Sequence, residues 1–501
     1  MESSSTVKAD TLAFRQVGLA LLLASLSLGS VANEERVPLP DMGNSADNYL
    51  SDLEEREYAR ALLMQMRAYE VLLDDPLISL YFEDMGFRLV ANSDKPEKTF
   101  TFVVLDEPRV NAFAAPGGVV ALHSGLILAA EDESEVAGVL AHEIAHITQL
   151  HIYRTLQNAQ GMTIPIVLGM LAIALAGGGS GEAITGALMG GQAMAQQTYI
   201  NFTRANEVEA DRIGITTLSL AGYDPVGMAD FFERLNRITR VGGEGPPEFL
   251  RTHPVNVNRI AEAKNRAANM PAPETSDGKE FFLAQARLRA LVEDKPDDAV
   301  AWFRNELRNP GATERALANR YGLAIALQRK LEFDEAETLL RELLDQDPER
   351  LAYQLQMASL QVETGRADEA LEQLADLNSA FPGNHAITMA YSAALLKDGE
   401  AERAATASTV LRKQILRQKE DPAMYELYAR ASSIAGDEVR ASEAMAEAYF
   451  RRGDVKEAIQ QLEMLSRRDD LDYYQRARVT ARLDEMRLII GEFGETEEES
   501  S

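Results

Sequence analysis

The chain has 501 residues, with 50 Lys and Arg against 79 Asp and Glu, a formal net charge of −29, six histidines and no cysteine. At roughly 150 residues per domain, this length predicts two to four domains, and 46% apolar with 26% charged residues is the composition of folded protein. The missing cysteines exclude disulfides, thiolate zinc fingers, iron–sulfur clusters and a cysteine nucleophile, so a metal site must use histidine and carboxylate; the acidity argues against nucleic acid, whose binding needs Lys and Arg clusters that release counterions.

At the N-terminus, Lys8 and Arg15 precede an apolar run of 13 residues from Val17 to Gly29, followed by Ser30, Val31 and Ala32. A transmembrane helix needs about 20 apolar residues, so the pattern predicts a cleavable secretory signal over 1–32 and work outside the cytoplasm. From 33 to about 270, strand-like pieces such as Thr99 to Leu105 mix with helical ones, whereas Phe281 to Phe493 is rich in Ala, Leu, Glu and Arg and reads as helix. The polar, Pro-containing Met270 to Gly278 is the natural linker. The predicted organisation is therefore a signal peptide at 1–32, a first domain at 33–270, a helical domain at 280–493 and an acidic, disordered tail at 494–501. Five of the six histidines (123, 142, 146, 151 and 253) precede the linker, which assigns any chemistry to the first domain.

Ser134 to Arg154 reads as one long helix, with Val136, Val139, Leu140, Ile144 and Ile147 as its apolar face. It carries His142-Glu143-Ile144-Ala145-His146. Residues four apart share a helix face, so both imidazoles can reach one ion, while Glu143 beside them is placed to take a proton from water rather than to ligate. His151, five residues after His146, falls off that face, and a catalytic zinc needs a third ligand that must here be His, Asp or Glu.

The next stretch, Ile164 to Ala195, is apolar and rich in Gly, Ala and Met, with Gly177 to Gly181 dividing it into halves too short to span a bilayer. It reads either as a helical hairpin buried against the histidine helix or as a mobile flap making peripheral contact with a membrane or a hydrophobic client. The third ligand is sought in the helical run Asn206 to Arg212. Glu207 and Asp211 are four apart, so one can bind metal while the other accepts the spare ring N–H of a ligand histidine and fixes its tautomer. Glu209 points elsewhere.

The second half repeats with a period of 34: Ala324, Ala358 and Ser392 are equivalent, as are Ala336, Ala370 and Ala404, Pro348 and Pro382, and Gly365 and Gly399. That is the period of tetratricopeptide repeats, where small residues permit close helix crossing. A further unit with a three-residue insertion carries Ala429, Gly436 and Ala441, a degenerate half ends with Gly453 and Ala458, and Asp297 to Asn309 reads as the second helix of an opening repeat. Such arrays present a groove for extended peptides or partner segments.

These motifs resemble the gluzincin peptidase family that includes the CAAX prenyl endopeptidases. The family's zinc motif matches at His142, Glu143 and His146, and its Glu-x-x-x-Asp motif matches at Glu207 and Asp211. Its strand-and-turn signature matches Asn111-Ala112-Phe113-Ala114-Ala115-Pro116-Gly117-Gly118, continuing to Ser124-Gly125-Leu126. A later His-Pro and Arg pair matches His253-Pro254 and Arg259; Ala115 departs, standing where the family often has a larger apolar residue.

The resemblance implies a mainly α chain: a zincin-type α+β metallopeptidase domain followed by an α-solenoid of tetratricopeptide repeats. It implies one zinc ion per chain on His142, His146 and Glu207, with Glu143 and Asp211 in the catalytic machinery. Arg259 could stabilise the oxyanion of the tetrahedral intermediate, or form an ordinary ion pair. His253, as a fourth ligand, would close the site and gate it; the alternatives are a transition-state donor or a loop histidine. The Asn111 to Ala121 stretch is expected to form an edge strand on which an extended substrate adds.

With the signal segment and repeats attached, the resemblance further implies a periplasmic zinc endopeptidase. Its clients would be unfolded or misassembled outer-membrane β-barrel proteins, and its repeats would dock on their assembly complex, with a chaperone-like role beside degradation. The competing reading is a non-catalytic scaffold with a latent or structural zinc site, against which the intact Glu143 speaks. His123 and His385 are expected to be structural.

Overall fold

The computed structural model describes residues 51–158, 193–242, 246–271, 278–309, 311–418 and 420–498. The predicted signal segment, the apolar stretch from 164 to 192 and the centre of the predicted linker lie outside the described residues. Among the described residues no helix is long and apolar enough to cross a membrane.

Helix α1 (Asp52–Ala68) starts at a capping box, in which Ser51 and Glu54 satisfy each other's backbone N–H groups. Helix α2 (Pro76–Ala91) starts at Asp75, whose carboxylate accepts from the Ile78 N–H. Strands β1 (Thr101–Leu105), β2 (Ala112–Ala115) and β3 (Val119–His123) form one sheet in the order β1-β3-β2. Strands β1 and β3 run parallel, with Thr101 opposite Val119, and β2 pairs antiparallel to β3.

The stretch from 111 to 121 is thus a hairpin rather than one strand, and only β2 lies at the edge. Pro116, Gly117 (φ +76°) and Gly118 (φ +79°) turn the chain. A Cβ on Gly117 would lie 2.2 Å from the Glu55 carbonyl oxygen, so α1 closes over this turn only because the position is glycine.

The sheet buries both faces, and the alternation along β3 separates them. Val119 and Ala121 join Tyr58, Leu62 and Met66 of α1. Val120 and Leu122 join Phe82 and Leu89 of α2 and Val136, Val139 and Leu140 of α4 (Glu133–Thr148), which follows the short α3 (Ser124–Ala129). Helix α4 is also crossed by α6 (Ala193–Leu220) and α7 (Gly227–Gly242). The crossings depend on small residues: a Cβ on Gly138 would lie 2.8 Å from Met228 Cα, and one on Gly214 would lie 3.1 Å from the Ala141 carbonyl.

The predicted helix to Arg154 instead ends at Thr148. Leu150 takes φ +58°, buries its side chain beside Tyr153, and α5 (His151–Asn158) leaves in a new direction. No Gly or Pro marks the break. Short α8 (Glu248–Thr252) and α9 (Val257–Ala267) complete the first half.

The second half is helical throughout its described residues. After α10 (Lys279–Val292) and α11 (Pro296–Glu306) come the hairpins α12 (Thr313–Arg329) with α13 (Phe333–Gln346), α14 (Leu351–Glu363) with α15 (Ala367–Ala380), and α16 (His385–Leu395) with α17 (Ala401–Ile415). They continue as α18 (Pro422–Ile434) with α19 (Glu438–Arg452), and α20 (Val455–Ser466) with α21 (Tyr473–Glu498). The small residues at the 34-residue period are buried where helices cross: Ala324, Ala358 and Ser392, and Ala336, Ala370 and Ala404. Helix α21 runs to Glu498, into the acidic stretch expected to be disordered. Glu favours helix, and extending an existing helix needs no new nucleus.

The repeats touch the first half at several places, among them Gln285 of α10 donating to the Ile127 and Ala130 carbonyls and Arg315 of α12 to the Glu131 carbonyl. Arg287 of α10 forms an ion pair with Asp75 at 2.6 Å and donates to Tyr321 and Gln356, while Leu77 and Leu80 of α2 pack beside Leu355 and Leu374. Towards the other end of the array, Arg67 of α1 donates to the Arg451 carbonyl at 3.3 Å, and Met64 packs against the α19–α21 cluster.

Candidate metal centre

Helix α4 places His142 and His146 one turn apart on one face, and α6 brings Glu207 against them. His142 Nε2 lies 3.0 Å from His146 Nε2, and Glu207 reaches each ring at 3.4 Å. His253, just beyond α8, directs Nδ1 to Glu207 at 3.0 and 3.1 Å and to His142 Nε2 at 3.3 Å. These four residues each offer one donor atom, all within 4.8 Å of one another. Donors at about 2.0 to 2.1 Å from a tetrahedral zinc stand about 3.3 to 3.4 Å apart, so the donor set and its spacing fit that ion.

The electrostatics of the cluster are steep. Burial disfavours the charged form of His142, yet Asp211 and Glu207 outweigh it and lift the ring to about 10. Burial takes His146 down to about 4. Glu207 is held well below the usual carboxylate range, since His253, His142 and His146 outweigh its burial.

Asp211, one turn beyond Glu207, lies 3.1 Å from His142 Nδ1. Arg259 of α9 grips it, donating from Nε and Nη2 to its two oxygens at 2.7 Å each. The remaining Arg259 nitrogen, Nη1, meets the Pro254 carbonyl at 2.8 Å and Glu207 at 2.9 Å. All three guanidinium nitrogens therefore meet acceptors, and the side chain braces two acidic groups, the ion-pair alternative for Arg259, while one of its five N–H groups, on Nη2, has no acceptor among these contacts. Asn256 caps α9 and orients this arginine by accepting from its backbone N–H.

Glu143 stands next to the four donors without joining them. It is 1% exposed, its Oε1 has no hydrogen-bond partner, and it lies 3.5 Å from His253 Nε2. Its place beside the donors and outside their set is that of a general base for a metal-polarised water. Of the sequence-predicted residues, His142, Glu143, His146, Glu207, Asp211, His253 and Arg259 all meet here. His151 is not among the four donors. His123 is buried edge-on to Phe113, and His385 pairs with Asp421 at 3.1 Å in the repeats.

Sequence reasoning missed the walls. Phe249 stacks on His253 at 4.8 Å between ring centres, Phe232 stands edge-on to His142, and Arg259 lies over the Phe232 ring. Their positions depend on α7 and α8 folding back over α4, which no local spacing encodes. A cavity of about 240 Å³ adjoins His146, lined by the Pro116–Gly118 turn, Ile147, Leu150, Tyr153 and Glu55.

Two imidazoles on one helix, a carboxylate from a second and a small sheet whose edge strand packs on the histidine helix define a gluzincin-type zinc metallopeptidase, here continued by tetratricopeptide repeats. The model of peptidase family M48 matches residues 78–267, and a tetratricopeptide repeat model matches 324–394. The β-barrel assembly-enhancing protease of Escherichia coli K12 is 32% identical over 486 residues, covering 95% of this chain and 98% of that protein. Its namesake in Yersinia pestis is 32% identical over 451 residues, 90% of this chain and 92% of that one. The mitochondrial metalloendopeptidase OMA1 of Arabidopsis thaliana is 27% identical over 220 residues, 44% of this chain and 42% of that one. The chain belongs to the same M48 family as these proteases and is a zinc-dependent metallopeptidase.

Proposed function

We propose that the chain is a periplasmic zinc endopeptidase that acts on unfolded or misassembled outer-membrane β-barrel proteins, degrading those that fail and assisting those that assemble. The convergence of His142, His146 and Glu207 at tetrahedral donor spacing, with the buried Glu143 beside them and outside the donor set, carries the enzymatic part. The nearly end-to-end likeness to proteases named for β-barrel assembly supports the client class. The apolar run at 17–29 supports export, and the repeats supply a docking surface for the assembly complex.

In this reading His142, His146 and Glu207 hold the zinc, which supplies Lewis-acid polarisation of the scissile carbonyl and of the attacking water. Glu143 takes a proton from that water as it attacks and returns it to the leaving amine, so that carboxyl and amine products balance the water consumed. Asp211 fixes the His142 ring, and Arg259 fixes Asp211. An extended client adds to the free edge of β2 through backbone bonds and places a side chain in the cavity beside His146. A folded barrel protein offers no such strand, so the enzyme selects chains that have not yet folded.

His253 supports a second element, a gate. Its Nδ1 lies 3.3 Å from His142 Nε2 and 3.0 Å from Glu207, so His253 could serve as a fourth protein ligand, and four protein ligands would leave a tetrahedral ion no place for the attacking water. Moving the His253 loop away then opens the site.

One set of assays tests both parts: cleavage of an urea-unfolded outer-membrane β-barrel protein, and of the same protein folded in detergent, by wild type, Glu143→Gln and His253→Ala. The expectation is cleavage of the unfolded form alone, none by Glu143→Gln and faster cleavage by His253→Ala. Equal cleavage of both forms would remove the client selection, and unchanged or abolished activity in His253→Ala would remove the gate.

A further inference from the structure

In a continuous helix His151 would stand about 140° around the axis from His146. The left-handed Leu150 folds the chain back instead, and His151 Nδ1 comes to 3.0 Å from His146 Nδ1. His151 is 2% exposed, and its Nε2 lies 3.2 Å from Glu209 Oε2. Arg154, one turn along α5, donates to that same oxygen at 2.9 Å. Glu209 does lie off the Glu207–Asp211 face of α6, as its spacing requires, but it meets α5 rather than solvent alone.

We propose that His151 and Glu209 are positioning residues for the metal ligand His146, holding its ring and its tautomer through an imidazole relay. The proposal rests on the reading of His146 Nε2 as a zinc ligand. A neutral histidine that ligates through Nε2 carries its proton on Nδ1, and the atom facing that N–H is His151 Nδ1. His151 must then accept at Nδ1 and carry its own proton on Nε2, where it donates to Glu209. Arg154 pins the carboxylate that ends the chain. One assignment of protons satisfies every contact, from His146 through His151 to Glu209.

The same logic serves the other ligand histidine by a shorter route. His142 Nδ1 lies 3.1 Å from Asp211, at ion-pair distance though not aligned as a hydrogen bond, and Arg259 pins Asp211. The two rings are thus each backed by a carboxylate with an arginine behind it, both carboxylates come from α6, and the His146 side spans the extra distance with one more imidazole. Carboxylates behind metal-bound histidines raise ligand basicity and fix ring orientation, and losing such support costs about 10- to 100-fold in metal affinity.

The test is zinc affinity of the full chain, measured by competition with a chelator, for wild type, His142→Ala, His151→Ala, Glu209→Gln, the double variant His151→Ala with Glu209→Gln, and His151→Asn. His151→Ala should weaken zinc binding about 10- to 100-fold, and Glu209→Gln less. On the His151→Ala background the Glu209 substitution should add nothing, because the relay is already cut. His151→Asn, which restores an acceptor near the Nδ1 position, should recover part of the loss.

A purely structural histidine would lower the melting temperature of the metal-free protein and leave the affinity alone. An His151→Ala affinity within about twofold of wild type, or additive losses in the double variant, would overturn the proposal. If His151→Ala does not fold, Glu209→Gln, isosteric and partly exposed, carries the test, and an unchanged affinity there overturns it. Wild type that binds no zinc, or zinc retained in His142→Ala, would instead strike at the ligand set itself.

Discussion

Glu207 and Asp211 bring two carboxylates into a space nearly closed to water, and the groups that answer them are His142, His253 and Arg259. Both acids were legible because residues four apart share a helix face, as were His142 and His146. What was not legible turns on backbone direction: His151 reaches His146 only through the turn at Leu150, and Arg259 spends its donors on acids that sequence spacing could not place beside it. His123 offers a test at this scale. It is 4% exposed, its Nδ1 has no hydrogen-bond partner, and burial takes it down to about 4, with Glu107 pulling the other way. Between about 4 and the ordinary 6.5 the unfolded chain binds a proton that the folded chain excludes, so this site's contribution to stability is lost as pH falls through that window. Urea unfolding of wild type against His123→Leu should show the gap moving in the variant's favour by about 1.4 kcal/mol per pH unit below 6.5. Parallel pH curves would show that folding does not lower the proton affinity of His123.

At the scale of elements, the repeat period was readable because the small residues sit where helices touch, and the turn glycines sit where the backbone turns left-handed. Gly365 (φ +81°), Gly399 (φ +70°) and Gly436 (φ +84°) occupy corresponding turns, and the first unit places Leu331 there at φ +67°. Leu331 is 70% exposed, so its side chain gives back little burial for a conformation that costs a non-glycine residue about 1 to 2 kcal/mol. After subtracting the greater chain entropy of glycine, Leu331→Gly should stabilise the repeats by roughly 1 kcal/mol, seen as a higher thermal midpoint of the helical unfolding transition. A lower midpoint would mean that the turn is held by contacts of the leucine itself. The strand-and-turn signature marks the Pro-Gly-Gly turn, but the stretch 111–121 still reads as one edge strand, whereas the break after Thr148 carries no turn residue at all.

For the whole molecule, the helical array is joined to the peptidase half through contacts that include the part-buried Arg287–Asp75 pair and the Met64 contact with the last helices. Under the proposed function, a client docked on the repeats would be presented beside the zinc site by a surface fixed against the peptidase half. Neither junction was visible in the sequence, because each pairs residues hundreds of positions apart with no shared spacing. Along the repeats many acids are matched by arginines, such as Glu337 by Arg366 and Glu447 by Arg482, and the net charge of −29 is the excess of acids left over, whose mutual repulsion favours solubility. The central claim is that this buried cluster is a hydrolytic zinc site with Glu143 as its base. The measurement that tests it most directly is zinc content together with casein cleavage for wild type and Glu143→Gln. Both proteins are expected to hold one zinc per chain, with cleavage at least about 100-fold slower in Glu143→Gln. Wild type that cleaves without zinc, or Glu143→Gln that cleaves at the wild-type rate, would contradict it.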